Sequence, residues 1–262
     1  MTLPIQIAIV AAVFLAGAGI AALILWLRDS GNAQKKVTEY RDVYEPLFAD
    51  LWSDEVHRRL AALFVAQRVA RSRGAAKGLA NVLISFIRRR LSQPPQYADS
   101  YEDVRLAIDI LGTGAVRKAQ EAAGQNIDLG GIDFRGMALF GVDFEDFRLA
   151  QCNLDRCQLA SAKLVDTDLS GASLVGANLQ NADMRRADLS EADVSEADFS
   201  RARLNGANFS NVNISGAILA DAQGFIQDQL DLAFGDSETA LPERMRFVAG
   251  RTRPRRTGAS EA

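Results

Sequence analysis

The chain has 262 residues, with 30 Lys and Arg against 33 Asp and Glu, a net charge of −3. Two cysteines leave no disulfide framework and fit a reducing compartment. The one histidine, His57, sits beside Arg58 on an expected helix and reads as a surface side chain, not a general base.

Residues Ile5 to Leu27 are 23 positions with one polar side chain, Gln6. As a helix they span about 34 Å, a full bilayer crossing. A secretory signal would start with basic residues and end at a small-residue cleavage site. Here no basic side chain precedes the span, and it closes on Trp26 before Arg28. The expectation is a retained anchor over residues 1–28. Arg28, Lys35, Lys36 and Arg41 follow it, so the positive-inside rule puts the N-terminus outside and the rest in the cytoplasm. Gly17 and Ala21, four apart, offer a close-packing face for a homodimer through this helix.

Residues 29–125 read as helical. Val56, Leu60, Leu63 and Phe64 begin one apolar face, with Ser53 as cap and Asp54 and Glu55 in the first turn. Leu79, Val82, Leu83, Phe86, Ile87 and Leu91 make a second. Pro94-Pro95 breaks the chain, and Ser100 with Asp103 starts a third helix carrying Val104, Ala107, Ile108 and Leu111. Between Val56 and Ala98 there are nine bases and no acid: Arg58, Arg59, Arg68, Arg71, Arg73, Lys77, Arg88, Arg89 and Arg90. Next to a membrane such a basic neck would contact anionic lipid, at roughly 1 kcal/mol per well-placed charge. The alternative is a solvated helix face, paired with the acids further along the chain.

From Leu129 to Leu219 every fifth residue, nineteen in all, is large and apolar. On a helix a step of five spirals around the surface, and on a continuous strand it alternates faces. The ladder buries its leucines only if the chain turns after each pentapeptide. Two places earlier stands a second apolar or small residue, from Ile127, Ile132 and Met137 through Cys152 and Cys157 to a run of alanines. The other positions are rich in Asp, Asn, Ser, Gly and Arg, as solvent-facing turns require. A short period held this long means a solenoid whose coils bury their apolar sides against one another. Residues 127–221 carry fifteen acids against eight bases, a net of −7, so the near-neutral total conceals a basic neck on an acidic rod.

Units such as Ala187-Asp188-Leu189-Ser190-Glu191 and Ala197-Asp198-Phe199-Ser200-Arg201 resemble the A(D/N)LXX repeat of pentapeptide-repeat proteins. That resemblance implies a right-handed, four-sided parallel β-helix over residues 126–222, with four pentapeptides per coil. Large residues at Met137, Phe147 and Cys152, where alanine is usual, suggest a wider, less regular first coil. The segment "EVHRRLAALFVAQRVA … YEDVRLAIDILG" is similar to the helical stretch preceding the repeats in membrane-linked bacterial members, which implies the inner membrane as location. "FIQDQLDLAFGDSETALPERM" resembles the helix and tail that close many bacterial members, so residues 223–248 are the expected cap. Arg251, Arg253, Arg255 and Arg256 lie in an expected disordered basic tail, residues 249–262.

Nothing in the sequence forms a catalytic constellation, and no cofactor is expected. Cys152 and Cys157 fall at inward positions with no third ligand nearby. Gly112-Thr113-Gly114 lacks the strand and third glycine of a phosphate loop. Asn208-Phe209-Ser210 and Asn213-Ile214-Ser215 match glycosylation sequons, a pattern the repeat generates by itself.

The expected function is that of a non-enzymatic, membrane-tethered scaffold docking a protein partner. Its candidate surface is Phe140, Val165 and Val175 with the acidic coil Asp188, Glu191, Asp193, Glu196 and Asp198. The alternative, implied by the resemblance, is a DNA mimic that binds a type II topoisomerase, as some soluble members do. Arg148, Arg156, Lys163, Arg185, Arg186, Arg201 and Arg203 interrupt the acidic surface such a mimic needs. No direct contact with nucleic acid is expected.

Overall fold

The computed structural model describes residues 49–70, 76–92 and 101–247. They fall into two compact units: residues up to Ile87 with Glu102–Ala123, and Arg88–Tyr101 with the chain from Gly124 onward.

The first unit is helical. It contains α1 (Val56–Ala70), most of α2 (Ala76–Leu91), α3 (Glu102–Leu111) and α4 (Gly114–Glu121). Ser53 accepts the Glu55 N–H at 3.2 Å, so the expected cap is there, one turn ahead of the assigned helix. On α2 the periodic residues Leu79, Val82, Leu83, Phe86 and Ile87 are buried. The buried side of α1 differs from the amphipathic reading. Leu63 lies inside with Arg59, Ala62, Ala66 and Ala70, whereas Phe64 is 61% exposed. The reason is ionic. Arg59 turns inward because Asp103, wholly buried on α3, pairs with its guanidinium, which rotates Phe64 outward. Asp103 is therefore an ion-pair partner and also accepts the Val104 N–H at 2.8 Å; Ser100 lies outside the described residues.

The second unit is the coil. Parallel bridges join residues twenty apart, beginning with Asp128↔Arg148, Asp133↔Asn153, Ala138↔Gln158 and Asp143↔Lys163 and repeating upward. Four bridge positions per twenty residues make four faces. The rungs are single bridges instead of the extended strands a parallel β-helix suggests, because each five-residue side spends two residues on a turn. The same register holds in the first coil, so its larger inward residues do not disturb the ladder.

Each pentapeptide is tied by four kinds of backbone bond, one of them from the turn, where the Glu191 N–H donates to Ser210 O at 2.9 Å. In the unit around Leu189, the Leu189 N–H donates to Asn208 O (3.0 Å) and the Asp188 N–H to Thr167 O (2.9 Å) on the coils either side. The turn closes as the Ala192 N–H donates to Leu189 O at 2.9 Å. The third residue of every turn from Gly131 to Gly216 has positive φ, as a type II turn requires. All nineteen residues of the ladder are buried. At about 25 cal/mol per Å² of apolar surface removed from water, this ladder is the main source of the rod's stability.

The top is closed by α5 (Gln227–Leu232) and the stretch after it. Bridges Asn213↔Phe234 and Ile218↔Ala240 continue two faces. Gln229 replaces a missing rung: its Nε2 donates to Leu204 O (2.9 Å) and Ala207 O (2.8 Å). Phe225 stacks edge-on against Phe209 at 5.0 Å. Unpaired backbone at a sheet edge invites other chains to add to it, and the cap removes that edge.

One expectation is corrected. Location as a single-pass inner-membrane protein is not supported, since no helix among the described residues is long and apolar enough to cross a membrane. The expected span at residues 5–27 and the tail at 249–262 lie outside the described residues.

Candidate functional site: the outward faces of the coil

The outward side chains follow from the backbone. A rung residue stands just before each buried ladder residue, and its Asp or Asn Oδ1 accepts the N–H two places on. Asp188 does this to Ser190 (2.9 Å), Asp193 to Ser195 (3.0 Å) and Asp198 to Ser200 (2.8 Å). That local bond explains the preference for Asp and Asn before the leucine. Rung residues also meet those one coil away. Arg148 lies between Asp128 (3.1 Å) and Asp168 (3.4 Å) on the first face. On the fourth face the rungs alternate strictly in sign: Lys163 pairs with Asp143 (3.3 Å) and Arg203 with Asp183 (3.2 Å). Arg185 adds a contact to Asp183 at 2.7 Å, and Arg186 reaches back to Asp166.

These pairs set the carboxylate acidities. Hydrogen bonds from Arg135, Arg186 and Arg185 hold Asp133, Asp166 and Asp183 below the ordinary Asp value. Asp198 is also lowered: partial burial works against this, but bonds from Ser200 and Gln180 outweigh it.

The five acids singled out in the sequence do come together. Asp188, Glu191, Asp193, Glu196 and Asp198 run along one coil, across the first and second faces onto the third. Asp188 and Asp193 also accept the amides of Asn208 (2.9 Å) and Asn213 (3.0 Å) from the next coil. Glu191 and Glu196 project from turns and carry no ion pair among the described residues, as do Arg156 and Arg201.

The apolar candidates separate. Phe140 is 52% exposed, Val175 is half-buried, and Val165 is only 7% exposed. Val165 stands in the register between Glu145 and Arg185, one coil away on each side. Ile218, 42% exposed on the third face, was missed. The signal was available. Written in rows of twenty, the sequence shows that the fourth face carries nine charged residues and the third face three, none of them in its first three coils. The third face is therefore the one with least charge to desolvate.

The described basic residues differ in their surroundings. Arg59 is buried against Asp103, which corrects its place among the lipid contacts, and Arg58 pairs with Glu55 at 3.1 Å. Arg88 donates to Gly130 O (3.1 Å) and Asp128 O (3.2 Å) of its own unit, satisfying carbonyls of the first coil. Arg68 and Arg89 are exposed and Arg90 is half-buried. Arg71 and Arg73, and the side chain of Lys77, lie outside the described residues.

Inward polar groups are core. Cys152 Sγ donates to Leu129 O (3.1 Å), Cys157 Sγ to Phe134 O (2.8 Å) and Thr167 Oγ1 to Phe144 O (2.9 Å). Burial pushes the two thiols up to about 11 and about 12, so both stay protonated. No group of three or more His, Cys, Asp or Glu among the described residues could hold a metal ion. His57 is exposed and lies 3.0 Å from Glu55.

Four-sided coils of buried leucine with Asx-closed turns define a solenoid whose working surface is its outside. The family model for pentapeptide repeats matches residues 152–190 and 182–221, in eight copies. The chain is a pentapeptide-repeat protein. Among solved structures it resembles QnrB1, described as a plasmid-mediated fluoroquinolone resistance protein, at 19% identity and a TM-score of 0.34 over 48% of this chain. It spans 60% of the length of that protein. A pentapeptide repeat protein of the Arabidopsis thaliana thylakoid lumen is 35% identical over 41% of this chain and 77% of its own, with a TM-score of 0.25. One from Nostoc is 23% identical over 51% and 88%, with a TM-score of 0.29. No curated protein matches the chain.

Proposed function

We propose that the chain is a non-enzymatic scaffold whose rigid β-helix docks a protein partner through its outward side chains. Preorganisation carries this reading. Rung residues are clamped by their own turn and by the neighbouring coils, so they have little freedom left to lose on binding. On this fixed lattice Phe140, Val175, Glu191 and Glu196 stand out for contact, with Asp188, Asp193 and Asp198 behind the two glutamates. Val165, being buried, leaves the candidate surface.

The alternative, a DNA mimic directed at a topoisomerase, has less support. A duplex presents unneutralised charge at every step, whereas the fourth face places a base beside an acid from coil to coil and the first face does so over its first three coils. A photo-crosslinker placed at Phe140 or Glu191 of the intact chain tests the two readings. One specific adduct, lost on Glu191→Lys or Phe140→Asp, is the expected result. Recovery of a topoisomerase, or gyrase inhibition by the purified chain, would reverse the preference.

A further inference from the structure

The third face differs from the others in a way that bears on self-association. Over its first three coils its outward residues include Phe140, Gln158, Asn178 and Gln180, with no ionisable group. Two of its rung amides are joined, as Asn178 Nδ2 donates to Gln158 Oε1 at 3.3 Å, and the turn residue Gln180 donates through Nε2 to Asp198 Oδ2 at 2.5 Å. Its ends carry the exposed Phe140 and Ile218, four coils and about 19 Å apart.

A two-fold interface requires a surface complementary to itself. On the axis itself a carboxylate or a guanidinium group fails that test, because there it meets its own counterpart. Amides pass it, since every amide both donates and accepts. The first and second faces are net acidic, and two copies meeting there would oppose like charge; the fourth would have nine charged residues to desolvate on each copy.

We propose that two copies of the chain pair through their third faces, antiparallel, with the two-fold axis at Asn178. This arrangement sets Phe140 of one copy against Ile218 of the second. It places Asp198 and Arg201 opposite the uncharged coil containing Gln158, so no like charges meet. Parallel pairing would set Asp198 against its own counterpart. The face measures roughly 24 Å by 10 Å. That is well short of the about 800 Å² per partner in a standard interface, so the dimer is reversible and concentration dependent. The proposal goes beyond the docking of a foreign protein and, of the residues that stand out for contact there, shares only Phe140; Glu191 reads the docking alone and Asn178 the pairing alone, so the two fail separately.

Sedimentation equilibrium of the full chain tests it. Association should rise with concentration and change little with salt. Asn178→Asp keeps the turn acceptor but opposes two carboxylates at the axis; it should weaken association by about tenfold or more, with partial recovery in high salt. Circular dichroism reports whether the coil is retained. Asn178→Cys should crosslink to itself on oxidation, whereas Asn153→Cys on the second face should not. A wild-type chain that stays monomeric at its highest soluble concentration would overturn the proposal. So would a dimer indifferent to Asn178→Asp, or equal crosslinking at 153.

Discussion

Nε of Arg59 lies 2.6 Å from Oδ2 of Asp103, both side chains buried, and this pair joins α1 to α3. Arg59 also donates to Ser53 O (3.0 Å) and Asp54 O (2.7 Å), fastening the start of α1. Removing one member of a buried pair strands the other charge. Asp103→Ala should therefore destabilise the helical unit by about 3–5 kcal/mol, whereas a matched apolar pair, Arg59→Met with Asp103→Leu, should be far milder. Urea denaturation followed by helical circular dichroism checks both. A double variant no better than Asp103→Ala would show that the pair is not the cause.

The turns give a second prediction. Glu191 has φ +61°, a conformation that costs a non-glycine residue roughly 1–2 kcal/mol. Glycine recovers that but loses about 0.5–1 kcal/mol to chain entropy. Glu191→Gly should be neutral or stabilising by up to about 1 kcal/mol, and Glu191→Val, β-branched at positive φ, should destabilise by more than 1 kcal/mol. Thermal denaturation should place the two variants well apart from each other, with Glu191→Gly at or above the parent and Glu191→Val below it. Equal melting points would refute the turn assignment.

The coil was legible because a period of five satisfies neither helix nor strand and leaves one solution, a turn after each unit. The same rule placed Cys152 and Cys157 inside. Two features were not legible. Arg59 and Asp103, 44 positions apart, each read as an ordinary solvated charge, and only their meeting explains why Phe64 faces out. Val165 sits at an outward position yet is buried, whereas Val175, at the same place in its own pentapeptide, is half-buried, so position within the five does not set exposure there. Period five tells inside from outside. The difference between faces lives at period twenty.

Cys152 and Cys157 offer a test of the interior. Both are buried and hydrogen-bonded, with thiols raised to about 11 and about 12 by burial. Reactivity requires the thiolate, so neither should react with a thiol reagent at pH 8 in the native state, and both should react once the coil is unfolded in urea. The raised values also imply that the native state holds these protons longer than the unfolded chain. The two thiols' contribution to coil stability should be fully present below about pH 8.5 and be lost as pH rises through about 11 to 12. Rapid native labelling of either thiol would contradict the buried placement.

The acid side runs the other way. Asp133, Asp166 and Asp183 have native pKa values lowered by hydrogen bonds from Arg135, Arg186 and Arg185. Groups depressed in the folded state contribute stability above their unfolded value, near pH 4, and lose it as pH falls through the native value. All three are largely solvated, so each contribution is small. The rod should nonetheless soften below about pH 4, and more steeply at low salt than at high. Replacing Asp166 with Asn, or Arg186 with Gln, should flatten that slope because the Arg186–Asp166 clasp between adjacent coils is gone. Melting temperatures between pH 2 and pH 6 read the effect directly. If Asp166→Asn kept the full parental slope, the cross-coil pairs would be lattice geometry alone and would carry none of the acid sensitivity.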